Sequence, residues 1–218
     1  MRHSEYCAQF LKKGGLVLDI GAGDGRFLEE MERLGYKTYG VDVKPESMRG
    51  NIIAGKAEEL PFSSNMFDFI NSSEVTEHVD DPKKMCAEIF RVLKPGGKSY
   101  ISFHNRFGVY DYHYHIYFIN WIPREWTEAV LKFARRQKPD GYGGRQKLVS
   151  MHYFTYKRAK KMLNKTGFAV YDIREDKLKK RFKIIFFLIY PFYSLILRPC
   201  YFNTFHFLII KPEKQWNF

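Results

Sequence analysis

Three glycines on alternate positions, Gly21, Gly23 and Gly25, follow the apolar run Leu16-Val-Leu-Asp-Ile20, and carboxylates accompany them at Asp19 and Asp24. Glycine has no Cβ, so such a turn lets the backbone bend at a strand's end and approach a ligand closely, with Gly21, Ala22 and Gly23 in contact. A further carboxylate, Asp42, follows the stretch Lys37 to Val41, where it can accept both hydroxyls of a ribose. Dinucleotide sites need Gly-x-Gly-x-x-Gly to set a pyrophosphate on a helix N-terminus. This chain offers Gly-x-Gly-x-Gly and then Arg26, with Asp19 and Asp24 where a pyrophosphate would lie. The pattern suits a nucleoside that carries positive charge, such as a sulfonium with an amino-acid ammonium.

Transfer of a group from a sulfonium needs little covalent help, because the leaving group is already activated; the protein aligns the reactants and excludes water. A general base is required only for an unactivated hydroxyl or a protonated amine. His104 and His78 are the candidates for that role or for acceptor contact. The pair His113-x-His115 invites a metal reading, but two imidazoles without a neighbouring carboxylate or Cys are too few, and no metal is expected.

These residues must be positioned by alternating strands and helices. Leu16 to Ile20 reads as a buried strand, and Arg26 to Leu34 as a helix with Phe27, Leu28, Met31 and Leu34 on one face. Further strands are predicted at 37–41, 51–54, 67–71 and 98–103. A helix opens at Asp81-Pro82 and runs until Pro95-Gly96-Gly97 stops it. Such alternation implies parallel pairing with ligands at the carboxyl ends of the strands. There the chain places Asp19 with its glycines, Asp42, Glu58, Ser73 with Glu74, and His104 with Asn105.

From Asn105 to Ser150 the pattern breaks into an aromatic and basic stretch, with the loop Pro139 to Gly144, read as an inserted helical cap over 105–154. Thr155 to Lys165 resumes a helix with Thr155 as N-cap and Gly167 past its end; strands follow at 168–173 and 203–210. One domain of 1–218 results, with a cofactor-binding core at 14–104 and completion of the sheet at 155–218. The uncharged run Ile184 to Leu197, between Lys179, Lys180, Arg181, Lys183 and Arg198, is shorter than the roughly 20 residues a crossing helix needs. It either packs on the core or lies in a membrane interface with its cations on anionic headgroups.

A chain of 218 residues with 45% hydrophobic residues can bury a sizeable core. The three cysteines, Cys7, Cys86 and Cys200, form no disulfide or zinc pattern, and the polar, basic start has no leader-like apolar stretch. A cytoplasmic location is expected, with peripheral association at the inner face of the membrane if the apolar run lies there. The net charge of +12 is concentrated in the second half, while Glu58 to Glu88 is acid-rich. Charge alone does not choose among nucleic acid, membrane and anionic substrate.

Taken together, the strings Leu16 to Gly25, Gly40-Val-Asp42, Ala57-Glu-Glu-Leu-Pro-Phe62, Phe67-Asp68, Glu74-Val-Thr-Glu-His78 and Arg91-Val-Leu-Lys-Pro-Gly-Gly97 resemble class I S-adenosylmethionine-dependent methyltransferases, near the branch of quinone-biosynthesis methyltransferases. The resemblance covers Leu16 to Asn105 closely. It implies a Rossmann-like, doubly wound α/β fold, a mainly parallel seven-stranded sheet with an antiparallel last strand. It also implies S-adenosyl-L-methionine as cofactor and S-adenosyl-L-homocysteine as product. By position, Asp19, Gly21 and Gly23 would meet the methionine part, Asp42 the ribose, Val43 and Ala57 the adenine, and Ser73 with Glu74 the sulfonium. His78 would sit at the cleft's edge, and His152-Tyr153 would line the acceptor pocket with Asn105.

Three departures stand out. Lys56 replaces the acidic residue usual before Ala57, the connection Val43 to Gly50 is too short for the usual helix, and little chain precedes Gly15 to close the pocket. The resulting expectation is methyl transfer to a small-molecule, lipid-linked or glycan acceptor. The alternative is a non-catalytic cofactor-binding scaffold docking on a membrane or partner. Nucleic acid is not the expected acceptor, since the fourth strand ends in Asn71-Ser-Ser-Glu74 and not in an Asn-Pro-Pro-Tyr type of signature.

Overall fold

Seven strands form one sheet in the order β3-β2-β1-β4-β5-β9-β8 in a computed structural model that describes residues 2–46, 50–138 and 147–213. Strands β1 (Leu16–Ile20), β2 (Lys37–Asp42), β3 (Ile52–Ala54), β4 (Phe67–Ser72) and β5 (Leu93–His104) pair in parallel. β9 (Thr204–Ile210) runs antiparallel to both β5 and β8 (Ala169–Asp172). This is the doubly wound, mainly parallel architecture expected, with the last strand reversed.

Alternation along the strands sends their side chains to two cores. Leu18, Ile20, Ile70, Ile101, Phe103 and Phe207 pack with Met85, Ile89 and Val92 of helix α3 (Pro82–Val92) and Leu163 of α5 (Tyr156–Thr166). On the other face, Val17, Phe69 and Tyr100 meet Cys7 of α1 (His3–Ala8), Met31 of α2 (Arg26–Arg33) and Ile173.

The ends of α3 and α5 follow local chemistry. The Asp81 carboxylate accepts from the amides of Lys83 and Lys84 ahead of Pro82, Thr155 caps α5 by accepting from Arg158, and Gly167 closes α5 at φ 105°. α3 stops at Val92, earlier than the sequence suggests, because Leu93 turns extended (ψ 135°) and pairs with Phe67. The Pro95-Gly96-Gly97 segment becomes a bulge within β5, between the Phe67–Leu93 and Phe69–Lys98 pairs.

The short stretch before Gly15 forms the six-residue helix α1, which lays His3 over the sheet, its Nε2 2.8 Å from Asn71 Oδ1. One further expectation is corrected. The cap is not wholly helical: it opens with a hairpin of β6 (Tyr110–Asp111) and β7 (Ile116–Tyr117) before α4 (Arg124–Phe133). The Pro139 to Gly144 loop lies outside the described residues. Between Asp42 and β3 the described residues contain no helix, and Glu46 N donates to Gly23 O, folding this connection against the glycine turn.

The apolar run belongs to a longer excursion, α6 (Ile173–Phe182), a 3-10 turn at Lys183–Ile185, α7 (Phe186–Phe192) and a wider π-helical coil at Tyr193–Tyr201. By length and composition Ile173–Tyr201 could cross a membrane, contrary to the sequence estimate, and only 6% of its apolar window is buried, which removes core packing. The excursion nevertheless folds back on itself. Tyr193 donates to Asp172 Oδ2 at 3.2 Å and Arg198 Nη1 to Glu175 Oε2 at 3.0 Å, whereas in a straight helix Asp172 and Tyr193 would stand roughly 30 Å apart. The reversal falls at Lys183, whose φ of 4° and ψ of −79° depart from helical values. Both ends enter adjacent strands of one sheet edge.

Candidate active site

At the end of β1 the backbone turns through Gly21 (φ 76°), Gly23 (φ 48°) and Gly25 (φ 79°), all left-handed, a conformation that costs other residues free energy. A Cβ on Gly21 would come within 2.5 Å of Val75 Cγ2, whereas one on Gly23 would project into open space. Gly21 is therefore required by packing against the segment after β4, and Gly23 leaves the backbone approachable. Ala22 is buried beside them.

Carboxylates converge on this turn. Asp19 is buried and accepts from Asn71 Nδ2 at 2.7 Å, while Asn71 Oδ1 faces His3. Burial, with the charges of Asp42 and Asp24 and against the Asn71 hydrogen bond, pushes Asp19 up to about 7. Asp42, at the end of β2, accepts from Gly23 N through Oδ2 at 2.9 Å and from Lys44 N through Oδ1 at 2.8 Å. Each of its oxygens keeps a second lone pair. Val43 beyond it is half exposed and Ala57 is buried.

Glu58, a sequence-level cofactor candidate, is reassigned: its Oε1 accepts from Asp80 N at 2.6 Å and Asp81 N at 3.2 Å, so it braces the entry to α3. Lys56, which stands where an acid was expected, reaches Asp80 Oδ2 at 3.1 Å. Its charge is thereby drawn toward the same turn.

A second group lies past the ends of β4 and β5. Ser73 leads into Glu74, which holds a left-handed backbone (φ 57°) uncommon for a side chain of this kind. Its amide donates to Ser102 Oγ at 2.8 Å, and its Oε2 lies 2.6 Å from His104 Nε2. His104, 2% exposed, also stands 3.1 Å from Glu77 Oε1. Burial alone would lower His104, but the hydrogen bond with Glu74 and the charges of Glu77 and Glu74 outweigh it and push the imidazole up to about 10. Reciprocally, burial acts to raise Glu74, yet its bond to His104 holds it below the usual carboxylate range. His104 thus carries its proton at neutral pH, and the expectation that it serves as a general base is corrected: it is a donor clamped between two carboxylates.

Glu77 and His113 are the site residues that sequence reasoning missed. Glu77 is fully buried and neither of its oxygens receives an in-line hydrogen bond, although Nε2 atoms of His104, His78 and His113 surround Oε1 at 3.1, 3.6 and 3.7 Å. His113 is held neutral by burial and by the charge of His104, whose ring centroid is 4.6 Å away. His115 turns off to Tyr110 instead, so the two histidines of the His-x-His pair part company. Glu77, His104 and His113 bring three possible ligand atoms within 4.8 Å of one another, a set not foreseen when metal was discounted. His104 Nε2 is already committed to Glu74, so a cation there would have to displace its proton. Glu77 was visible only as part of a polar pair with His78, and His113 only as half of a metal pair.

The three residues assigned to acceptor contact separate. Tyr153 stays in the wall, donating to Asp111 Oδ2 at 2.7 Å with its ring 5.1 Å from His104. His152 donates its amide to Glu77 O, but its side chain lines a different groove, with Asp81, Pro82 and Arg158. Asn105 is buried and fully occupied: its Nδ2 donates to Pro199 O and Phe202 O, and its Oδ1 accepts from Phe107 N. It is a tie to the end of the helical excursion.

Beside this group opens a cleft of ≈ 490 Å³ whose walls include Tyr110, Tyr112 and Tyr117 of the cap, Arg174, Tyr201 and His206. His206 lies opposite Ser102 in the sheet register and Thr204 opposite His104, so the cleft adjoins the Glu74–His104 pair across one strand spacing. His206 Nδ1 lies 2.6 Å from Tyr100 OH, and the imidazole is held neutral by burial and by the charge of Arg174.

Residues 18–101 match the family described as a methyltransferase domain. Over 98 residues the chain is 35% identical to an uncharacterized methyltransferase of Mycobacterium sp. (strain KMS), covering 41% of this chain and 39% of that protein. It is 34% identical over 106 residues to the ubiquinone biosynthesis O-methyltransferase of Xanthomonas oryzae pv. oryzae (strain PXO99A), covering 43% and 44% respectively. The matches thus span less than half of these relatives. In three dimensions the chain is similar to an S-adenosylmethionine-dependent methyltransferase of Mesorhizobium loti, with TM-score 0.60, 16% identity, and coverage of 94% of this chain and 96% of that one.

Proposed function

We propose that the chain, whose residues 18–101 match a methyltransferase domain, is a class I S-adenosylmethionine-dependent methyltransferase that transfers a methyl group to a small-molecule acceptor held beneath the tyrosine-rich cap. The observation that carries this reading is the meeting of Asp19, Asp42 and the open face of Gly23 at the adjacent ends of β1 and β2, with Glu74 one strand and His104 two strands beyond Asp19.

A buried carboxylate raised to about 7 with two more beside it is a site short of positive charge. The ammonium and sulfonium of S-adenosylmethionine supply it, which makes the residues present a fit for the cofactor. In this reading Asp19 and the turn Gly21-Ala22-Gly23 hold the methionine part, Asp42 the ribose, and Val43 with Ala57 the adenine. Ser73 and Glu74 border the sulfonium. The cofactor supplies an activated methyl group, and S-adenosylhomocysteine is the product.

The protein's share of the chemistry is alignment and exclusion of water. Glu74 is fixed by Ser102 and His104 and so presents a rigid, charged edge to the reacting centre. Where the acceptor is a hydroxyl, a neutral imidazole is the group that can take its proton: His206, which lines the cleft, and His113 are both held neutral, whereas His104 already carries its proton. The cleft volume falls in the range of small-molecule sites, about 300–1,000 Å³. The similarity to a protein named for ubiquinone O-methylation also supports an acceptor of that size.

Calorimetric titration of S-adenosylmethionine into the wild type and Asp42→Ala tests the cofactor half; no heat with the wild type sinks the reading. Turnover is tested by transfer of labelled methyl across phenol, amine and lipid acceptors. Binding without transfer to any of them would favour the scaffold alternative.

A further inference from the structure

The helical excursion between β8 and β9 inverts the usual polarity of a surface helix. Ile184, Phe187, Leu188, Phe192, Leu195 and Ile196 recur at three- and four-residue spacing and face solvent, with Ile184 86% and Leu195 74% exposed. Facing the protein on the same segment are the polar groups: Arg198 lies over Tyr156 at 3.9 Å and bonds Glu175, and Tyr193 is buried against Asp172. A soluble helix turns its apolar stripe inward, and a contiguous apolar face turned outward marks a surface that something else covers.

We propose that this hairpin seats the protein on an anionic lipid bilayer, lying in the headgroup plane with the Ile184 to Ile196 stripe in the acyl boundary. Two observations choose the occupant. The outgoing arm carries Lys177, Lys179, Lys180, Arg181 and Lys183 immediately before the stripe, an excess over Glu175 and Asp176, which pair with Lys179 and Lys180. Anionic headgroups complement that charge, whereas a second copy of this face brings the same excess of cations to the contact. The fold-back through Tyr193–Asp172 and Arg198–Glu175 returns the chain to the side it left. The hairpin therefore dips into one leaflet and does not cross.

The excursion ends at the cleft. Asn105, next to His104, holds the carbonyls of Pro199 and Phe202, and both Tyr201 and Phe202 line the cleft wall. On the methyl-transfer reading above, docking would set the cleft mouth at the bilayer surface, so the acceptor class is a lipid-soluble molecule with a polar head.

The test is flotation of the full chain, without cofactor, with vesicles of phosphatidylcholine alone and of phosphatidylcholine with phosphatidylglycerol. The wild type is expected to float with the anionic vesicles and to be released as salt rises. Phe187→Asp/Leu188→Asp and, separately, Arg181→Glu/Lys183→Glu should each weaken binding about tenfold or more, with far-UV circular dichroism and melting unchanged. Failure of the wild type to float with either vesicle overturns the proposal, as does flotation that the Asp pair leaves intact. Self-association in sedimentation, abolished by the Asp pair and without vesicle binding, overturns it in favour of a second copy. Because the readout needs neither cofactor nor turnover, its failure leaves the methyl-transfer reading standing, and failed cofactor binding leaves the docking result standing.

Discussion

His104 Nε2 lies 2.6 Å from Glu74 Oε2, joining the end of β5 to the strained residue that follows β4. The contact fixes two strand ends against each other where the proposed cofactor and acceptor sites meet. Behind it, Glu77 is buried with no in-line donor and depends on the His104 charge. The ion group is consequently both a structural clamp and a source of pH dependence.

Removing the charge should expose that dependence. His104→Gln leaves Glu77 buried without its cation, a loss of about 3 kcal/mol for a broken buried pair, or roughly 6–12 °C in Tm for a chain of this size. Because the folded-state pKa of His104 is raised, its stabilisation is fully present below about pH 6.5 and is lost as pH climbs toward about 10. The Tm difference between wild type and variant should therefore shrink from about pH 7 to about pH 10. A constant difference in thermal melts across that range contradicts the clamp.

Asp19 works in the opposite direction for ligand binding. Its raised value near 7 means that it is partly protonated at neutral pH, so its own contribution to folding declines as pH rises from about 4 through 7. The charged form is the one that attracts an ammonium. Affinity for S-adenosylmethionine should then increase from about pH 6 to about pH 8 in calorimetry, and Asp19→Asn should bind about tenfold more weakly with that slope abolished.

The two glycines of the turn should separate stability from binding. A methyl on Gly21 meets Val75 at 2.5 Å, so Gly21→Ala should lower the melting temperature as well as cofactor affinity. Gly23→Ala meets no atom and bears only the left-handed strain, about 1–2 kcal/mol, yet projects into the face where the ligand would lie. A larger affinity loss relative to its stability loss is expected for Gly23→Ala. Equal ratios in paired melting and titration experiments would place the ligand elsewhere.

Asn105→Ala should loosen the helical excursion. It strands the carbonyls of Pro199 and Phe202, at about 1–3 kcal/mol for each group left unsatisfied. Limited proteolysis should then cut earlier within 184–202 than in wild type. Unchanged cleavage kinetics would show that the tie is not what holds this segment.

Much of the scaffold is local and was legible in the chain. Leu16 to Ile20 is apolar enough to be buried wherever it lies, the glycines after it can only be a turn, and Thr155 and Gly167 act through bonds to their own helix. The β5 bulge was less accessible, because Leu93 is apolar in either a helix or a strand and only pairing with Phe67 decides between them.

What the amino-acid sequence determined by itself is the set of strand ends, and with it the placement of Asp19, Asp42, Glu74 and His104 on one edge, since hydrophobic alternation and parallel crossovers act over short separations. Tertiary structure alone decided which polar groups meet. Glu77, His104 and His113 come from three separate segments, and His104 keeps its proton because of the negative charge of carboxylates that no spacing links to it. It also decided that the apolar run turns back at Lys183 and faces outward, because that outcome rests on Tyr193 reaching Asp172 and Arg198 reaching Glu175, contacts formed only once β8 and β9 lie side by side.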